Sequence, residues 1–164
     1  MLRLRPYNKN DAKTIISWIQ DEKAFYKWTA GILGEFPIDE ETFQQVNNLM
    51  AFTAIDDNEI VGFFTLRDPG QTFEELRFGF VVVDPNIRGK GYGKKMIMLG
   101  LTYAKEIYGV KKVSLGVFEN NEPAYYCYKS AGFVEDISAE KEVYPILDEN
   151  WNCLVMEYKF DTAE

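Results

Sequence analysis

The sequence predicts an α+β fold: a mixed, mostly antiparallel sheet flanked by helices. Three observations lead there. The first fifty residues repeat apolar positions at helical spacing, residues 51–83 switch to β-branched and aromatic runs broken by tight turns, and a strand, a glycine-rich turn, a helix and a further strand then follow as one parallel unit. With 164 residues, 46% of them hydrophobic, the chain has enough material for one buried core. No repeat, linker or low-complexity tract interrupts it, so residues 1–164 read as a single domain.

The elements follow from local signals. Leu and Arg alternate over 2–5 as in an edge strand, and Asn10 or Asp11 caps a helix whose Ile15, Ile16, Trp18 and Ile19 recur at helical spacing. A second short helix is expected over 22–28. Gly31, Gly34 and Pro37 mark a loop, after which Asp39 and Thr42 open a helix carrying Phe43 and Val46. A hairpin follows: 51–55, the turn Asp56-Asp57-Asn58, then 60–66. Asp68-Pro69-Gly70 turns the chain into a long strand, 73–83, whose all-apolar end Phe80-Val81-Val82-Val83 predicts burial on both faces. A helix over 93–108, with Met96, Leu99, Tyr103 and Ile107 on its inner stripe, stops at Gly109. The strand 112–118, a helix over 123–130 with Pro123 in its first turn, and strands over 133–143 and 151–160 complete the chain.

Charge and composition narrow the chemistry. Eighteen basic against twenty-six acidic residues give a net charge of −8, which repels nucleic acid. The absence of histidine removes a Ser-His-Asp triad, His-ligated zinc and any imidazole base, and two cysteines are too few for a disulfide scaffold or a four-cysteine metal site. No metal site is expected. Cys127 and Cys153 read as thiols of a reducing compartment, no segment approaches the ~20 apolar residues of a bilayer span, and the expected location is cytoplasmic.

The most informative segment is 84–95, Asp-Pro-Asn-Ile-Arg-Gly-Lys-Gly-Tyr-Gly-Lys-Lys, between a buried strand and a helix. Gly89, Gly91 and Gly93 let main-chain N–H groups turn toward a guest at a helix amino terminus, where the dipole favours an anion. The Rossmann pattern fails at Lys94, and the Walker pattern fails at Arg88 and Lys95. Arg88, Lys90, Lys94 and Lys95 stand here without an acid between Pro85 and Lys95, which suits a multiply charged small anion.

The motif Arg88-x-x-Gly91-x-Gly93 after an apolar strand ending Val-Asp-Pro resembles the acyl-CoA pyrophosphate loop of the GNAT superfamily of N-acyltransferases. Asn121-x-x-Ala124, then Tyr128-x-x-x-Gly132-Phe133, resembles its second motif. Order and spacing extend the resemblance over about residues 50–160; the helical opening is less tightly similar to the branch that acetylates ribosomal-protein amino termini and polyamines.

The resemblance implies a GNAT-like sheet with splayed central strands and acetyl-CoA as acyl-donor cosubstrate. It places Val81 and Val83 main-chain groups against the pantetheine arm, the thioester carbonyl at the Val81 N–H, and the pyrophosphate on amides from Gly89 to Lys94. Arg88 braces the turn, Lys90 or Lys94 approaches the 3′-phosphate, and Asn121 bonds the cofactor arm. Tyr128 matches the tyrosine that protonates the departing thiolate. The base, often a glutamate on a central strand, has matching positions at Arg77 and Gly116, neither of which takes a proton. Glu75 is the best substitute, Glu119 the next, and an ordered water the third.

Acceptor recognition is expected from the opening helices and the last hairpin, where Tyr26 and Trp28, with Phe25, Glu35, Tyr144 and Trp151, offer an aromatic and acidic wall for a cationic amine. The implied reaction is direct acetyl transfer to a primary amine, of a small molecule or of a protein amino terminus, in a ternary complex without a Cys127 intermediate. Exposed aromatics leave room for a homodimer. A noncatalytic acyl-CoA sensor or assembly module is the alternative, and an acyltransferase for longer chains a third.

Overall fold

The computed structural model describes residues 1–161; the last three residues of the expected 1–164 unit lie outside the described residues. The strands are β1 (Leu2–Pro6), β2 (Met50–Asp56), β3 (Glu59–Arg67), β4 (Glu75–Val83), β5 (Lys112–Phe118), β6 (Val134–Glu135), β7 (Glu142–Ile146) and β8 (Glu149–Lys159). They form one sheet in the order β1-β2-β3-β4-β5-β8-β6, with β7 also paired to β8. Only β4–β5 is parallel; the other pairings are antiparallel.

Helices cover both faces. On one lie α4 (Tyr92–Tyr103) and α5 (Glu122–Ser130), burying Phe64, Leu76, Met96, Ile97 and Leu115 in the main core. On the other, α1 (Ala12–Ser17), α2 (Glu22–Thr29) and α3 (Glu40–Phe43) seat Ile15, Phe43 and Val46 on Phe63 and Val82. Each such large side chain contributes about 1.5–3 kcal/mol on burial. A smaller cluster, Phe118, Ile146 and Trp151, joins the β7–β8 hairpin to Tyr26 of α2. Asp21 and Asp39 cap α2 and α3 through Ala24 N–H and Thr42 N–H, at 2.8 Å each. No described helix is long and apolar enough to cross a membrane.

Four features differ from the sequence expectation. β4 starts at Glu75, because Phe73 has a left-handed φ of 57° and stacks on Tyr108 instead of entering the ladder. The inner stripe of α4 is Met96, Ile97, Gly100 and Leu101, followed by Ala104, whereas Ile107 faces solvent. A Cβ on Gly100 would lie 2.7 Å from the Phe78 ring, so this close approach sets the phase, and a π-turn over Ala104–Tyr108 then shifts it. The single strand expected over 133–143 is two, β6 and β7, separated by a turn in which Asp136 accepts hydrogen bonds from the Ser138 N–H and hydroxyl. Finally, of Phe80 to Val83 only Val82 is buried, because β4 loses its neighbour there.

Candidate active site

The parallel ladder between β4 and β5 covers only Glu75, Leu76 and Arg77 against Lys112, Val113 and Ser114. Beyond it the strands part. β4 is drawn toward β3 by a bulge: the register slips between Phe63 and Thr65, Phe80 sits at a left-handed φ of 50°, and Gly79 packs so close that a Cβ would lie 2.9 Å from Thr65 Oγ1. Trp28 Nε1 donates to the Phe80 carbonyl at 2.8 Å and pins the bulge. The Asp84 N–H donates to Val61 O on β3, so strand alternation turns the N–H and C=O of Val83 and Val81 to the opposite edge, where β5 is absent. Main-chain groups left so are stable only if water or a guest takes them.

A cleft of about 830 Å³ occupies the gap. Val81, Val83, Arg88, Gly89, Gly91, Gly93, Lys94, Asn121, Tyr128 and Trp28 all line it. Lys90, Tyr26 and Glu75 do not. At the wide end Gly91 is the N-cap of α4, with φ 81° and no side-chain cap, so the first-turn N–H groups point out unclaimed. Gly89 has φ 85°, and a Cβ on either glycine would stand in open space, with nothing within 4 Å. The Tyr92 hydroxyl donates to Asp56, anchoring the helix start to the end of β2. Arg88 and Lys94 form no ion pair among the described residues.

Tyr128 lies at the opposite wall, on α5. It is 7% exposed, its hydroxyl makes no hydrogen bond among the described residues, and the oxygen is not sealed from solvent. Burial pushes its phenol well above the ordinary value, so it remains protonated. Asn121 starts α5 without a cap hydrogen bond from its side chain, which leaves its amide free. Burial also raises the Cys127 thiol, against a smaller lowering by Lys94; a Cβ on Gly93 would lie 3.1 Å from its sulfur. Both effects together favour the neutral thiol, which lines the cleft.

The base expected at Glu75 is not brought to the cleft. Glu75 stands on the closed rung of the ladder and accepts the Ser114 hydroxyl. Glu119 is held by Lys141 at 2.7 Å and Asn152 at 3.0 Å, which keep its carboxyl below the usual range. Glu35 of the expected acceptor wall lines a separate groove with Leu33, Pro37 and Asp39, and the acid that lines the cleft among the described residues is Asp21, at the start of α2. Tyr26 packs with the Phe118 and Trp151 cluster and accepts from Phe36 N–H at 3.3 Å. Trp28 is committed to Phe80 and to a stack on Phe43. Sequence reasoning passed over Lys23 and Lys27, which line the cleft from α2. Their four-residue spacing puts them on one side of α2 but does not say which way that side turns.

The model of the acetyltransferase (GNAT) family matches residues 14–133. The chain belongs to that family. Among family relatives, it is 31% identical over 109 residues, 65% of its length, to a mycothiol acetyltransferase of Rhodococcus jostii. Over 51 residues, 31% of its length, it is 39% identical to a spermine/spermidine N(1)-acetyltransferase of Bacillus subtilis. These matches span about a third of each curated relative, 35% and 34%. In fold, the chain is similar to spermidine N-acetyltransferase of Vibrio cholerae, solved with CoA and spermine, at TM-score 0.78 and 20% identity over 96% of this chain and 95% of that one. A GNAT-family acetyltransferase of Bacillus anthracis gives TM-score 0.77 and 19% identity over 96% and 94%.

Proposed function

We propose that the protein transfers an acetyl group from acetyl-CoA to a primary amine within a ternary complex, residues 1–164 acting as one catalytic unit. The observation that carries this is the continuous line of unclaimed donors, from the uncapped start of α4 along Val83 and Val81 to the Tyr128 hydroxyl. The pyrophosphate sits on the N–H groups around Gly89 to Lys94, where backbone donors and dipole act together. Lys23 and Lys27 of α2 line the same cleft as Arg88 and Lys94 and add positive charge to it.

The pantetheine amides pair with the free edge of β4, continuing the ladder that β5 abandons. The amine nitrogen attacks the thioester carbon, forming the C–N bond, while the carbonyl electron pair moves to oxygen and is held by the Val81 N–H. Collapse restores C=O and breaks C–S. The leaving thiolate takes the Tyr128 proton, and solvent returns one to the phenolate. The amine sheds its own proton to water in the open cleft. Glu75 and Glu119 take no part in that step, because both are engaged away from the lining.

A noncatalytic acyl-CoA sensor is the second possibility, favoured by the lack of a strand-borne glutamate at Arg77 and Gly116. The unpaired thiols Cys127 and Cys153 support a cytoplasmic setting, and exposed Phe73, Met98 and Ile107 support a homodimer, which sedimentation tests. For the main proposal, calorimetry with acetyl-CoA is expected to give micromolar binding, weakened about tenfold in the Lys23→Ala/Lys27→Ala variant. Steady thiol release with amines is expected on top of it. Binding without turnover would make the protein a sensor, and no binding at high micromolar donor would end the proposal.

A further inference from the structure

Arg77 occupies the last rung of the β4–β5 ladder, at the point where the strands separate. It is half-buried, and its side chain lies on the sheet face away from α4, with Ser114, Gly116 and Cys153. Its guanidinium fills the space above Gly116: a Cβ there would lie 3.0 Å from Arg77 Nη2 and 2.9 Å from Cys153 Sγ. Gly116 is exposed and lines the cleft; Arg77 is outside that lining but packs directly on Gly116, at the edge of the cleft.

What Arg77 lacks is a partner. Among the described residues its side chain donates from Nη1 to Ser114 Oγ at 3.3 Å, and no carboxylate lies within ion-pair distance. The chain carries an excess of eight acids, yet those nearby are committed elsewhere. Glu75 accepts from Ser114, Glu157 pairs with Lys112 and Lys159, and Glu142 accepts from Tyr144. Arg67, directly across on β3, adds positive charge. A half-withdrawn guanidinium with one weak partner is costly, and a carboxylate taken by both ends of its fork relieves that cost.

We infer that the amine acceptor carries a carboxylate beside its amine, as an amino acid does, and that Arg77 grips it. This rests on the acetyl-transfer proposal and names its substrate class. In an amino acid one carbon separates the two groups, so a carboxylate on Arg77 leaves the amine at the mouth of the parting strands. A polyamine would instead place cationic charge against Arg77 and Arg67. The half-buried Tyr144, kept neutral by burial and by Glu142 with its phenol pushed up to about 12, adds an uncharged wall near the same arginine.

The test compares free amino acids, the corresponding amino acid amides, and spermidine as acceptors with saturating acetyl-CoA, for the wild type, Arg77→Gln and Arg77→Lys. Expected is a wild-type kcat/KM at least about tenfold higher for the best amino acid than for its amide, carried mainly by KM. Arg77→Gln should bring that ratio close to one by lowering kcat/KM for the amino acid about tenfold, and Arg77→Lys should retain part of it. A wild type that prefers spermidine, or a ratio unchanged in Arg77→Gln, overturns the inference. Calorimetry on the same proteins keeps the two levels apart: loss of acetyl-CoA binding by the wild type strikes the donor site, whereas intact donor binding with the wrong acceptor preference strikes only Arg77.

Discussion

The seam between β4 and β5 has a closed half and an open half, and the two were made by the same pair of strands. In the closed half, Glu75–Arg77 and Lys112–Ser114 share a ladder and a Ser114–Glu75 hydrogen bond. In the open half, one bulge at Phe80, held by Trp28, turns the edge of β4 away from β5 and exposes polar backbone that a continuous sheet would have consumed. The free edge is thus built by withholding a strand, with few dedicated side chains. Substitutions in the open half should therefore act on donor chemistry, and those in the closed half, apart from Arg77 at its last rung, on stability.

The largest effect belongs to the open half. Tyr128→Phe is expected to lower kcat about 100-fold while acetyl-CoA affinity in calorimetry stays within about twofold. The same residue sets a pH expectation. Burial penalises the phenolate and raises the pKa, so the donating form persists above the ordinary value of about 10. Wild-type kcat should then rise or hold from pH 7 to 9.5 as the amine deprotonates, with no falling limb from this tyrosine. Smaller is Gly91→Ala, where a Cβ at φ 81° costs about 1–2 kcal/mol of stability by chemical denaturation and weakens donor binding.

Smaller still are changes in the closed half. Ser114→Ala removes the hydroxyl between Glu75 and Arg77 and should cost about 1 kcal/mol without altering acetyl-CoA affinity. Glu75→Gln should leave kcat within about threefold; a 100-fold loss would return the base to Glu75 and erase the distinction between the halves.

Much of the open half was legible in the sequence. The positive-φ glycines of the anion loop, the Val-Asp-Pro strand end and the Tyr-x-x-x-Gly-Phe spacing each impose a local constraint that residue type reveals. The splay was not legible from patterning: Phe80 to Val83 read as doubly buried because an apolar strand bordering an unfilled cleft has the composition of one bordering a neighbour. The missing carboxylate was equally hidden. Glu75 shares a strand face with Arg77, but only the register showing where the ladder ends places it on the closed rung. Lys23 and Lys27 were hidden too, since nothing local says which face of α2 turns to the cleft.

Residue-resolved amide exchange, with and without acetyl-CoA, tests the contrast most directly. The Val81 and Val83 amides, together with those of Gly89 to Lys94, should exchange fast in the free protein and become strongly protected when donor binds, while Leu76 and Arg77 stay unchanged. Protection of Val81 and Val83 already present without donor, or no gain on adding it, would contradict an open strand edge as the donor's binding surface.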